Sequence, residues 1–224
     1  YGYIRGMSLE STDTFTEIDL PRLKKIKYFG SFWGMSKLKK LDLGNNPTLE
    51  CVFLKNVDVE DDTIFENLNE INVSKCKNLR VIDIEQTGEK FTELDLSSND
   101  KLNSLGLEGL RGLKQLKMPE TDNLKEIVVK ETALESLALE KYTKLDKVCV
   151  GGNQFDILKI NMEQKTEKDI ENMYLLFDNN LKVEFISSKS GIVPNIKRLD
   201  NHNLWAGIVF SNYVVTDYEI PECW

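Results

Sequence analysis

The chain carries one histidine, His202, in the polar segment LDNHNLW. Nucleophilic catalysis of the Ser-His-Asp or Cys-His kind needs such a base within hydrogen-bond reach of a nucleophile. Asp200 lies two residues away and Cys223 is the nearest thiol in sequence. A lone loop histidine of this sort is ordinarily solvated, and no dyad is expected from it. Glu93 and Asp95 share a strand face, but nothing sets their environments apart as an acid and a base, so glycosidase chemistry is not supported. The stretch VDVEDDTIFEN holds Asp58, Glu60, Asp61, Asp62 and Glu66. Carboxylates suit calcium, yet the D-x-[DN]-x-[DN]-G order is missing, so a solvated acidic loop is expected. Asn72-Val73-Ser74 matches a glycosylation sequon inside a strand pattern and carries little information. Gly151-Gly152 reads as a turn, and no glycine-rich phosphate loop or metal-ligand spacing is present. Cys51, Cys76, Cys149 and Cys223 lie far apart and read as separate thiols. No catalytic, cofactor-binding or metal-binding residue is assigned, and the chain is read as a non-enzyme.

Composition narrows the partners. The 224 residues carry a net charge of −8, and lysines and arginines are scattered, which argues against a nucleic-acid or anionic-membrane surface. No apolar run approaches the ~18 residues of a membrane span. The chain opens YGYIRGMSLE, without an initiator Met, so a removed signal or upstream segment is expected.

Whatever the chain presents to a partner must be held by its repeats. A pattern of apolar-x-x-apolar-x-apolar opens at Leu38, Leu49, Leu68, Leu79, Phe91, Leu102, Leu113, Leu124, Leu134, Leu145 and Phe155. From Phe91 to Leu145 the spacing is 11, 11, 11, 10 and 11 residues. A fixed internal period means one supersecondary unit stacked on copies of itself. The ninth position of alternate units is Asn46, Cys76 and Asn99, followed later by Thr121 and Tyr142. The intervening units place Val57, Thr87, Leu110, Thr132 and Asn153 there, so two classes of arm alternate. This pattern resembles leucine-rich repeats, L-x-x-L-x-L-x-x-N/C-x-L, of the short type similar to internalin-like and gut-bacterial surface leucine-rich repeat proteins. The resemblance covers Leu38 to Ile160.

The resemblance implies a mostly β, α/β-type right-handed solenoid with a parallel concave sheet, short extended convex segments and two caps. Residues 1–37 would form an N-terminal cap that includes the aromatic Trp33, 38–160 the repeat array, and 161–224 a C-terminal cap. The arms opening at Leu38, Leu68, Phe91, Leu113, Leu134 and Phe155 are placed on the concave sheet, and the others on the convex side. First, fourth and sixth positions should point inward, so Leu94→Asp or Leu116→Asp should unfold the array. Thr166 with Asp169 resembles a capping box. Ile170, Met173, Tyr174 and Phe177 fall at helical spacing, so 166–178 is read as one helix. LKVEF and LWAGIVFSNYVVTDY read as strands.

Outward positions of the concave arms are then the candidate binding residues: Lys40, Asp42, Glu70, Asn72, Glu93, Asp95, Gln115, Lys117, Ser136 and Lys159, with Ala138 and Ile157 among them. By the resemblance the ligand is a protein or a glycan and the setting is extracellular or cell-surface; charge and the lack of a long apolar run, as above, argue against nucleic acid and membrane insertion. The oligomeric state is left open. A rigid spacer or assembly subunit without a specific ligand is the alternative, favoured by the scarcity of Trp, Tyr and Arg anchors on that face.

Overall fold

In a computed structural model the described residues are 6–9, 15–19, 25–31, 35–44, 46–55, 65–187 and 194–199. The first six strands are β1 (Gly6–Leu9), β2 (Glu17–Asp19), β3 (Tyr28–Ser31), β4 (Lys40–Asp42), β5 (Cys51–Leu54) and β6 (Glu70–Asn72). They are followed by β7 (Val81–Thr87), β8 (Glu93–Asp95), β9 (Ser104–Leu110), β10 (Gln115–Lys117), β11 (Glu126–Lys130), β12 (Lys147–Gly151) and β13 (Ile157–Asn161). A short helix α1 (Glu167–Asn172) precedes β14 (Tyr174–Asp178), β15 (Lys182–Ile186) and β16 (Ile196–Leu199).

Among the described residues every strand pair is parallel, and neighbours in a sheet come from successive coils. The chain is therefore a parallel β-solenoid. Among the described residues nine strands form one sheet in the order β1-β3-β5-β7-β9-β11-β12-β14-β16. The remaining strands form three separate small sheets, β2-β4-β6, β8-β10 and β13-β15. The pairing runs without interruption past Leu38 at one end, through β2 and β3, and past Ile160 at the other, through β14 and β15.

This division reverses the expected placement of the two arm classes. The long sheet is built by the arms opening at Leu49, Leu79, Leu102, Leu124 and Leu145, which were expected as short segments. The arms opening at Leu38, Leu68, Phe91 and Leu113 make strands of only three residues. The arm at Leu134 contributes a single bridge, Leu139 to Ile160. Two local causes account for the difference. The long-sheet arms are rich in β-branched residues such as Val81, Ile82, Ile84, Ile127, Val128, Val129, Val148 and Val150, which pack well on a pleated surface. In three of the four short arms, those opening at Leu38, Leu68 and Phe91, an Asp or Asn folds its oxygen back onto the backbone two residues on and ends the strand. These turns are Gly44 N to Asp42 Oδ1 at 2.9 Å, Ser74 N to Asn72 Oδ1 at 3.0 Å and Ser97 N to Asp95 Oδ1 at 2.9 Å.

The core lies between the two faces. First, fourth and sixth positions of all eleven units are buried except Leu116 and Met118, which are half-buried against it. Burying a side chain of this size is worth roughly 1.5–3 kcal/mol before conformational entropy is subtracted. The ninth-position residues close the corners. Asn99 Nδ2 donates to the carbonyls of Val73 and Cys76 in the preceding coil, at 3.0 and 3.1 Å. Cys76 Sγ reaches Leu43 O at 3.0 Å, and the Tyr142 hydroxyl donates to Pro119 O at 2.7 Å. In the other arms the residue before the ninth position takes positive φ at Gln86, Gly109, Glu131 and Gly152, which turns the chain out of the long sheet.

The C-terminal part departs from the helix expected over 166–178. The capping box of Thr166 and Asp169 is present, but the helix ends at Asn172, and Met173 is extended at φ −60, ψ 135. Tyr174–Asp178 joins the long sheet beside β12. A continuous apolar run such as YLLF fits a strand buried on both faces as well as it fits a helix, and pairing with an existing sheet edge decides between them. LKVEF is a strand as expected. LWAGIVFSNYVVTDY, Trp33, His202 and Cys223 lie outside the described residues.

Candidate functional site

The outward side chains of the short strands are the expected binding residues, and the structure brings most of them into cross-coil rows. Parallel register sets Lys40 beside Glu70 and Asp42 beside Asn72, and Glu93 beside Gln115 and Asp95 beside Lys117. Lys40 Nζ meets Glu70 Oε1 at 2.9 Å, and this hydrogen bond holds the Lys40 ammonium above its ordinary pKa. Lys117 Nζ meets Glu93 at 2.5 Å and Asp95 at 3.4 Å, which raises the Lys117 pKa in the same way. Asp95 is held below the usual carboxylate range, first by the Ser97 hydroxyl and backbone N–H and then by Lys117. Asn72, the sequon residue, has both ends of its amide engaged, donating to Asp42 Oδ1 at 2.9 Å and accepting from Ser74 N. Gly44 makes room for it, since a Cβ there would meet Asn72 Nδ2.

Asp42, Asn72 and Asp95 thus build turns as well as facing outward. Ser136 and Lys159 belong to arms that share no ladder with β8 and β10, because β13 pairs with β15 instead. Ile157 stands there as an exposed apolar side chain.

The outward face of the long sheet is different in kind. Asp83, Ser104, Gly106, Val128, Lys130, Lys147, Cys149 and Leu176 all point away from the main core and are nonetheless buried. Val128, Cys149 and Leu176 form a second, small apolar cluster with Tyr174 beside it. Next to it runs an ionic cluster. Lys55 Nζ lies 2.6 Å from Asp83 Oδ2 and 3.0 Å from Glu85 Oε1, and Lys130 Nζ lies 3.3 Å from Glu108 Oε1. Burial works to lower the Lys55 pKa, but the two carboxylates outweigh it and hold it above its ordinary value. Burial raises the Glu85 carboxyl, with Lys55 opposing. Gly106 is required opposite Asp83, because a Cβ at that position would overlap the Asp83 carboxylate.

Sequence reasoning missed this cluster. The signal was present in Val81-Asp83-Glu85, where alternate positions of an apolar strand turn acidic, but its meaning depends on Lys55, which the preceding coil supplies.

Cys51, Cys76 and Cys149 are free thiols, as their spacing suggested. Burial pushes the Cys51 and Cys149 thiols up to about 12 and Cys76 to about 11, so they are poor nucleophiles. Among the described residues no group of three His, Cys, Asp or Glu side chains is placed to hold a metal ion. Of the five acidic residues in that stretch only Glu66 is described, and it accepts a hydrogen bond from Asn67 Nδ2 at 3.1 Å.

Fold and surface together define a parallel β-solenoid with one long sheet and a broken, polar second face. No protein-family model matches the chain, and no curated protein is significantly similar to it.

Proposed function

We propose that this solenoid is a non-catalytic recognition module of the leucine-rich repeat type, secreted or displayed at a bacterial surface, which binds a protein through the outward side chains of its short strands. The observation that carries this reading is the contrast in exposure: Lys40, Glu70, Glu93, Asp95, Gln115, Lys117, Ser136 and Lys159 all reach solvent, whereas most outward residues of the long sheet are buried. A stiff stack of coils presents such a face with little ordering cost on binding. A spacer without a specific ligand is the second reading, favoured by the pairing of Lys40 with Glu70 and of Lys117 with Glu93, which leaves those charges partly neutralised by one another.

The test is capture from extracellular extract on the immobilised chain, followed by direct titration of any captured protein. The comparison variant is Glu93→Lys with Lys159→Glu, which leaves the Asp95 turn intact. A purified partner that binds the parent and binds the variant at least about tenfold more weakly supports recognition through this face. Equal binding places the site elsewhere, and no partner at all supports the spacer.

A further inference from the structure

Where the chain enters the long sheet, Arg80, Lys101, Asn103, Asn123, Lys125 and Lys144 line an open groove of about 520 Å3. Four cations and two amides form its walls, with no carboxylate among them, in a protein of net charge −8. Their order follows from the coil. Asn103 N donates to Arg80 O and Lys125 N to Asn103 O, both at 2.8 Å, so Arg80, Asn103 and Lys125 stand side by side on successive coils. Lys101, Asn123 and Lys144 each stand in a parallel row just before their strand, and Lys101 Nζ is anchored at 2.6 Å by Asn78 Oδ1. Cation and amide alternate in both rows, out of step with each other, so each of four successive coils contributes one positive charge, about 4.8 Å from the next along the axis. Acids flank the groove and are themselves paired: Asp146, next after Lys125 in the first row, takes Lys165 at 2.7 Å; Glu50, before Arg80 in that row, takes Lys27 at 2.7 Å and lies 4.0 Å from Arg80 Nη1; and Asp122 takes the Thr143 hydroxyl at 2.7 Å and the Lys144 N–H at 3.4 Å.

We infer that this groove binds a linear acidic polysaccharide, with the lysines and Arg80 on its sulfate or carboxylate groups. Basic clusters of this kind suit sulfated glycans, and Asn123, whose Nδ2 donates to Asp100 O at 2.8 Å and to Thr121 Oγ1 at 2.7 Å, is held in place as part of the wall. Single-stranded nucleic acid fits less well, because the groove has no aromatic platform for its bases. An extended acidic peptide repeats its side chains on one face about every 6.6 Å and falls out of step with the coils. The inference goes beyond the recognition proposed for the short strands and uses a different part of the surface.

The experiment titrates the full chain, by calorimetry, with a heparin oligosaccharide and with a polygalacturonate oligosaccharide, which separate sulfate from carboxylate as the preferred group. Single-stranded DNA and polyglutamate are titrated alongside. Lys125→Glu with Lys144→Glu is compared with Lys125→Gln with Lys144→Gln; all are exposed positions, and thermal unfolding checks that the fold is kept. The expected result is binding of at least one polysaccharide, weakened about tenfold or more by charge reversal and less by glutamine. That binding should also fall as salt screens the groove, and it should be unchanged in the Glu93→Lys, Lys159→Glu chain. Absence of binding to both polysaccharides, equal binding by the reversed chain, or tighter binding of DNA or polyglutamate would overturn it. Each of these outcomes leaves the short-strand face to be judged by its own variant.

Discussion

At the scale of single residues, Lys55 shows how much of this molecule is decided by charge placed out of water. Its ammonium is shared between Asp83 and Glu85 on the next coil, and removing one partner of a buried ion group leaves the others uncompensated. Lys55→Met is therefore expected to cost about 3 kcal/mol or more at neutral pH, measured by urea unfolding. The pH dependence has a definite sign. Glu85 already has its folded pKa raised by burial, and without Lys55 it rises further. A carboxyl whose folded pKa exceeds its unfolded value near 4.3 binds its proton more tightly in the fold, so stability falls as pH rises between those two values. The deficit of the variant relative to the parent should thus be larger at pH 7 than at pH 5. A deficit independent of pH would mean that Lys55 acts through packing alone.

Among the elements, the inward leucines separate into two kinds. Leu94 is fully buried in β8, whereas Leu116, one coil further on in β10, is only half-buried. Sequence pattern gave the two the same weight, and the structure distinguishes them. Leu94→Asp is expected to abolish the folded far-UV circular dichroism spectrum, because a buried carboxylate there has no partner. Leu116→Asp should leave a folded chain with a lower midpoint, since its carboxylate can reach water. Similar loss in both would show that the β8-β10 ladder is tighter than the exposure of Leu116 indicates. The same scale explains why the helix was read too long. Spacing of Ile170, Met173, Tyr174 and Phe177 satisfies a helix, but the run YLLF had a sheet edge waiting for it in β12, and no local pattern records an edge.

For the whole molecule, the relevant property is that each coil packs on its two neighbours and on little else. Stability in such a stack is approximately a sum over coils and their interfaces. Deleting residues 124–144, one complete coil, joins Asn123 to Leu145 with both arm classes still in phase and with Gly106 still opposite Asp83. The shortened chain is expected to fold, with the same spectral shape and a lower thermal midpoint, as read by circular dichroism. Failure to fold would show that the array is held cooperatively by its ends. Deleting residues 102–123 removes Gly106 and brings Val128 against the Asp83 carboxylate, so that chain should be markedly less stable than the first.

The sequence by itself determined the repeat, its two arm classes, the inward positions, the corner residues Asn46, Cys76 and Asn99, and the capping box at Thr166. Each of these is written in residues close together in the chain, where period, side-chain size and local hydrogen bonding suffice. Only the tertiary structure decided which arm class forms the long sheet, where the helix gives way to β14, that Asp42, Asn72 and Asp95 are spent partly on turns, and that Lys55 answers Asp83 and Glu85. Those outcomes depend on what the neighbouring coil places 4.7–4.9 Å away. That neighbour is some twenty or thirty residues distant in the chain, beyond the reach of any local pattern.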